Sequence, residues 1–402
     1  MRFDYHVPLR VWNKPGVSLT VASSRAAVLE NRSTAPDARP QESIAPPGAA
    51  HIPSLDGIRA ISFFLVFFSH AGLGGVVPGG FGVNIFFLLS GFLITTLLRM
   101  EFARSGHIDL GAFYVRRVLR ILPPLYVTLA LALVLCVIQS GPGSIPVPGT
   151  VAQALQVFNF YQIYADPPTF LPGTGVLWSL AVEEHFYLVF PLLYAWMCPR
   201  LSVRGQSALL LTMCAAALAW RCVLHYFHFR NSFDHTYMGT DARFDSILFG
   251  CVFAIAANPV LNDPLYRKSL REMRWLLPVS TVVLLTTFVI RNDSFRETLR
   301  YTVQGLALIP LFMAAIYYQK SWPVRFLNLP LVRFLGVLSY SLYLGHSIIM
   351  TSIERVWPTS IGSNMATLAG ALCFATLVHY AVELPATRLR KRFMRAPAGS
   401  AR

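Results

Sequence analysis

The chain has 402 residues, of which 54% are hydrophobic and only 13% charged, about half the charged share of a soluble domain. That balance excludes an ordinary soluble globular protein and points to a polytopic membrane protein. A formal net charge of +15 would raise nucleic acid as a partner in a soluble chain. Here Lys and Arg fall mainly between apolar runs, where they orient a chain in a lipid bilayer, so no nucleic-acid partner is expected. The six cysteines show no C-x-x-C or metal-ligand spacing, and neither a disulfide framework nor a metal site is expected.

Residues 1–50 mix charges of both signs with Pro, Ser and Ala and lack a long apolar run. They are expected to form a disordered cytoplasmic extension; no apolar segment follows the first basic residues, as a signal peptide requires. Residues 51–390 are expected to form a transmembrane domain and 391–402 a basic cytoplasmic tail. Apolar runs near the membrane-spanning length fall at 56–77, 81–99, 118–138, 176–198, 206–227, 242–258, 275–291, 299–318, 332–353 and 365–384. The predicted class is all-α, a polytopic membrane bundle of about ten helices. Residues 139–175 contain no Lys or Arg and are rich in Gly and Pro. They read as a long extracytoplasmic connection with a short interfacial helix near Gln153–Tyr164. Basic clusters at Arg116–Arg120, Arg200–Arg204, Arg267–Arg274, Lys320–Arg333 and Arg388–Arg392 alternate with it. The positive-inside rule then places both termini in the cytoplasm. Arg291, Arg296 and Arg300 fall on the outer side of this scheme and break the rule.

In the first span, Arg59 and His70 stand eleven positions apart, about three helical turns and about 16 Å along the axis. Both should share one face. Ionisable groups in a membrane helix cost about 2.5–3.5 kcal/mol each on insertion scales and mark functional sites. His70 is a candidate general base, because imidazole accepts and returns a proton at neutral pH; the competing reading is a histidine hydrogen-bonded in a helix interface. Arg59 is a candidate anchor for a phosphorylated donor, or a helix-end positive charge. The second run, Gly79–Ile94, carries glycines that permit close backbone approach. It is no nucleotide fingerprint, and Ser90 sits in no G-x-S-x-G elbow. The fourth span opens on Trp178-Ser179-Leu180-Ala181-Val182-Glu183-Glu184-His185. Glu183 is a candidate to orient His70, against a helix-dipole role for the acidic pair. Arg116, Arg117 and Arg120 could pair with it only if packing brought them close, and the topology puts them on the opposite side. Arg243 in the sixth span and His346 in the ninth are candidate substrate contacts; Ser339 and Tyr340 read as interhelical hydrogen-bond partners.

These runs together resemble the acyltransferase-3 family of membrane O-acyltransferases. Its pattern is Leu-Asp-Gly-x-Arg-Ala leading to His, then Gly-Val-x-x-Phe-Phe-x-x-Ser-Gly-Phe, Arg-Arg-x-x-Arg, Trp-Ser-Leu-x-x-Glu-Glu, Arg-x-Asp and Ser-Tyr-x-x-Tyr-x-x-His. Each stands here in order between Leu55 and His346. Asn84, His185 and Gly345 depart from the commoner Asp, Gln and Trp. The resemblance implies a core of ten helices and transfer of acetyl or another short acyl group from acyl-CoA to a hydroxyl of a carbohydrate-type acceptor: surface polysaccharide, lipopolysaccharide or signalling oligosaccharide. The family's Arg-x10-His signature is met by Arg59 and His70; the reading of the residues takes His70 and Glu183 as catalytic and Arg59, Asp56, Arg116, Arg117, Arg243 and His346 as substrate-binding. Acyl-CoA enters as donor substrate, with no permanently bound cofactor, and the location is the inner (plasma) membrane. The chain's end soon after the tenth span is expected to leave no room for the fused esterase-like domain that some members carry. A proton-coupled transporter of a small anion, with Arg59, Glu183 and His70 as anion site and relay, is the alternative, and a non-catalytic sensor a further one.

Overall fold

The computed structural model describes residues 52–261 and 266–393. The expected extension 1–50 lies outside them, as does the expected tail beyond Phe393; Lys391–Phe393 continue the last helix. Ten long helices organise the rest: α1 Pro53–Phe68, α2 Gly79–Ser105, α3 Leu110–Ser140, α4 Trp178–Met197, α5 Val203–Tyr226, α6 Thr240–Ala256, α7 Tyr266–Val289, α8 Leu299–Tyr317, α9 Pro330–Glu354 and α10 Ile361–Val378. Eight segments among the described residues are long and apolar enough to cross a membrane, so the chain is an integral membrane protein of all-α class. The other two expected spans form helices that fall short of that measure. α6 carries Asp241, Arg243 and Asp245 in its first two turns, and α7 is apolar only over Trp275–Val289.

The helix ends follow local chemistry. Asp109 caps α3 by accepting from the Ala112 amide (2.8 Å), Ser202 does the same for α5, and Ser360 and Ser363 form a reciprocal capping box on α10. Prolines open α1 and α9, where a missing N–H costs nothing. Small residues then let helices touch. A Cβ on Gly91 would stand 2.0 Å from the Ile247 carbonyl oxygen, and one on Gly250 2.0 Å from that of Leu88, so α2 and α6 cross backbone to backbone. α1 lies between α2 and α9, and α10 covers α9.

Successive helices alternate in direction. Tyr340 in the first half of α9 donates to the Ile121 carbonyl in the first half of α3 (2.9 Å), whereas Arg355 just past α9 reaches Ser140 at the end of α3. Asn364 at the start of α10 donates to the Ala71 carbonyl (2.9 Å). One end of the bundle, the Arg59 end, therefore gathers the starts of α1, α3 and α9; the other, the His70 end, gathers their finishes. The connection 141–177 contains two short helices, Val147–Ala154 and Phe158–Tyr164, where one was expected. It seats on the His70 end. Gly173, at φ +73°, lies so close to α9 that a Cβ would fall 2.5 Å from the Ile348 Cα.

Candidate active site

The face shared by Arg59 and His70 is as the spacing predicts, but the two do not open into a common cavity. Phe63 and Phe67 lie on the same face between them and are buried. Their rings pack on His346, at 5.7 and 6.4 Å between centroids. At His70 the α-helix has given way to one wider turn, Ser69–Leu73, ending on Gly72 at φ +91°. This sets His70 at the exposed end of α1.

The imidazoles of His70 and His346 meet edge to edge, centroids 5.3 Å apart and planes 5° from parallel. His70 Nδ1 lies 3.1 Å from His346 Nε2, and His346 Nδ1 lies 2.8 Å from the Tyr343 carbonyl oxygen. A carbonyl can only accept, so His346 carries its proton on Nδ1. Its Nε2 is then an acceptor, and His70 donates to it from Nδ1. The lone pair of His70 rests on Nε2, the geometry of a general base held by a second histidine.

Around Arg59 lies a cavity of about 470 Å³, walled by α1, α2, α3, α4 and α9, within the size range of ligand sites. Arg59, Arg117, Arg120, Asp56 and Glu183 line it. Asp56 lies 3.6 Å from Arg59. Glu183 accepts from the Ser90 hydroxyl and from Tyr187. Arg117 lies over the rings of Phe113 and Tyr187, at 5.5 and 5.2 Å. Among the described residues neither Arg117 nor Arg120 has a carboxylate within ion-pair distance. The cavity holds an excess of fixed positive charge, suited to an anion.

Several expectations change here. The basic stretch belongs to the first three turns of α3 and runs into the bundle, so Arg117 and Glu183 share a cavity instead of lying on opposite sides. Arg116 does not join them; it pairs with Glu101 at 2.9 Å. Glu183 does not orient His70, because it sits on α4 facing Ser90 of α2, while the ring partner of His70 is His346 of α9. Arg243 is fully buried, 3.9 Å from the Tyr301 ring, and donates to Asn84 and to the Tyr237 carbonyl. It does not line the Arg59 cavity; its bonds tie α6 to α2. Tyr187 and Tyr343 were not singled out from sequence, and Ser90 was considered only as a hydrolase nucleophile. The i, i+4 spacing of Glu183 and Tyr187 was the available signal for one of them.

The model of the family described as acyltransferase domain matches residues 52–383, and that span contains every residue of both constellations. The chain belongs to the acyltransferase-3 family. It is 29% identical over 314 residues to the O-acetyltransferase OatA of Staphylococcus aureus strain NCTC 8325 / PS 47, covering 76% of this chain and 52% of that protein. A putative O-acetyltransferase of Staphylococcus aureus strain COL is 28% identical over 320 residues with the same coverages. The chain thus spans about half the length of these curated relatives. No solved structure matches it at a significant level.

Proposed function

We propose that this acyltransferase-3 protein is a membrane O-acyltransferase. It moves an acetyl or other short acyl group from acyl-CoA to a hydroxyl of a carbohydrate-type acceptor. The observation that supports this most is the two-ended α1 face, with a cationic cavity at Arg59 and an outward-facing imidazole lone pair at His70. The donor's phosphates bind at Arg59, Arg117 and Arg120. On the positive-inside rule this end faces the cytoplasm, where acyl-CoA is made, and the protein resides in the inner membrane with both termini inside.

The thioester arm extends along α1 through the layer of Phe63 and Phe67 and meets the acceptor at His70. His70 Nε2 takes the hydroxyl proton as the oxygen attacks the thioester carbonyl. The tetrahedral intermediate collapses, the C–S bond breaks, and the imidazolium returns its proton to the departing thiolate. His346 accepts from His70 Nδ1 throughout and keeps Nε2 pointed outward. Glu183, tied to Ser90 and Tyr187, shapes the donor cavity.

Full-length protein in vesicles, given acetyl-CoA labelled in the acetyl group, tests the reading. Wild type is expected to transfer or hydrolyse the label. His70→Ala should lose about 10²–10⁴ in rate, the usual share of a general base, with CoA affinity retained. An unchanged rate in that variant removes the mechanism, and proton-driven anion uptake without turnover makes the protein a transporter.

A further inference from the structure

The three arginines that break the positive-inside pattern meet at one place. Arg291, Arg296 and Arg300 line a second cavity of about 320 Å³ at the His70 end, between the finish of α1, the start of α2, the finish of α7 and the start of α8. Charge there is poorly balanced. Arg296 lies 3.3 Å from Asp293, whose side chain is 75% exposed. Glu297, on the same segment, turns away to His225 (3.2 Å). Among the described residues no carboxylate stands within ion-pair distance of Arg291 or Arg300; Arg300 donates to the Tyr301 hydroxyl (3.0 Å). Beneath the floor the buried Arg243 adds a further positive charge. The nearby Asp245 is already committed to a bidentate pair with Arg221 (2.9 and 2.7 Å).

The floor is built and fixed. Asn84 donates to Gln304 Oε1 (2.6 Å), and Gln304 donates to Thr287 (3.0 Å). Asn84 in turn accepts from Arg243. Arginines at this end do not serve orientation, because the remaining basic clusters lie at the opposite end. Uncompensated guanidinium groups around a concave site mark recognition of carboxylate or phosphate. Ser69, which borders the cavity, is the chain neighbour of His70, and their Cα atoms are about 3.8 Å apart.

We propose that this cavity seats an anionic group of the acceptor, a carboxylate or phosphate on the sugar chain, so that a hydroxyl of an acidic carbohydrate is presented to His70. The proposal rests on the acyltransferase reading and names its acceptor class. A lipid headgroup offers the same phosphate chemistry, and the test separates the two sources.

Full-length protein is reconstituted in phosphatidylcholine vesicles, and binding of two probes is measured at low salt: an oligogalacturonate trisaccharide and its methyl ester, with inorganic phosphate as competitor. Saturable binding of the acid is expected, with the ester at least tenfold weaker and phosphate competing. The Arg291→Gln/Arg300→Gln pair should weaken the acid at least tenfold, and Arg291→Lys/Arg300→Lys should restore part of it. Arg291 is exposed and Arg300 partly so, and unchanged circular dichroism checks that the fold tolerates both changes. Equal affinity for acid and ester, or no binding of the acid, overturns the proposal. Loss of probe binding when phosphatidylglycerol is added to the vesicles assigns the cavity to lipid and overturns it too. Acetyl-CoA turnover by wild type is scored separately. A protein that binds the acid through these arginines yet never turns over the donor sinks the acyltransferase reading and leaves the anion site standing.

Discussion

His346 has one nitrogen committed to its own helix and one to His70, and it is fully buried. In the proposed mechanism it therefore positions His70 and does not itself contact the substrate. Removing the acceptor leaves the His70 Nδ1–H without its partner and frees the ring to rotate. His346→Phe is therefore expected to lower kcat about tenfold to a hundredfold, the scale of one lost hydrogen bond to a group that becomes charged, with no change in CoA affinity. His346→Gln offers a carbonyl oxygen near the same place and should recover part of the loss; a merely structural role would not be rescued in kcat alone. Steady-state kinetics on the three proteins check this. The importance of both histidines was legible in the sequence, because ionisable groups stand out in apolar runs. Their partnership was not, since 276 residues separate them and no local period links α1 to α9. Glu183 was assigned to the wrong partner for the same reason: its charge is visible in sequence, while the helix it faces is a property of packing.

At the scale of the element, α3 shows how far a basic run can be read. Arg116, Arg117 and Arg120 look equivalent as loop charges, yet as helical residues they point about 100° apart per step. Arg116 turns outward to Glu101, and Arg117 turns inward over Tyr187. The two neighbours should separate kinetically. Arg117→Ala is expected to raise KM for acetyl-CoA about tenfold to a hundredfold, the loss of a charge-assisted contact of about 1.5–3 kcal/mol, whereas Arg116→Ala should leave it within about twofold. Equal effects would mean that the donor enters from another side of α3. α1 teaches the complementary lesson. Periodicity alone places Arg59 and His70 on one face, but what fills the interval is decided by bulk. Phe63 and Phe67 close it, so a donor arm seated at Arg59 reaches His70 only where this aromatic layer yields.

The whole molecule repeats one logic: two sites at opposite ends of a bundle, each positively charged, joined by a single helix. Direction alternates along the ten long helices, so the starts of α1 and α9 share an end; eight segments among the described residues are long and apolar enough to cross a membrane. The two weakest spans, α6 and α7, are the ones whose polar residues are used inside the bundle or gathered in their first turns. The alternation also makes the membrane orientation measurable. Val76, in the segment after His70, is 87% exposed, and Trp322, before α9, is 89% exposed; they lie at opposite ends. If the Arg59 end faces the cytoplasm, a membrane-impermeant maleimide added to intact spheroplasts should label Val76→Cys and spare Trp322→Cys. Inside-out vesicles should show the reverse. The background for both would replace the six native cysteines by alanine. The opposite pattern would put the donor cavity on the outer face, where acyl-CoA does not reach it, and the proposed direction of transfer would fail even with both cavities intact.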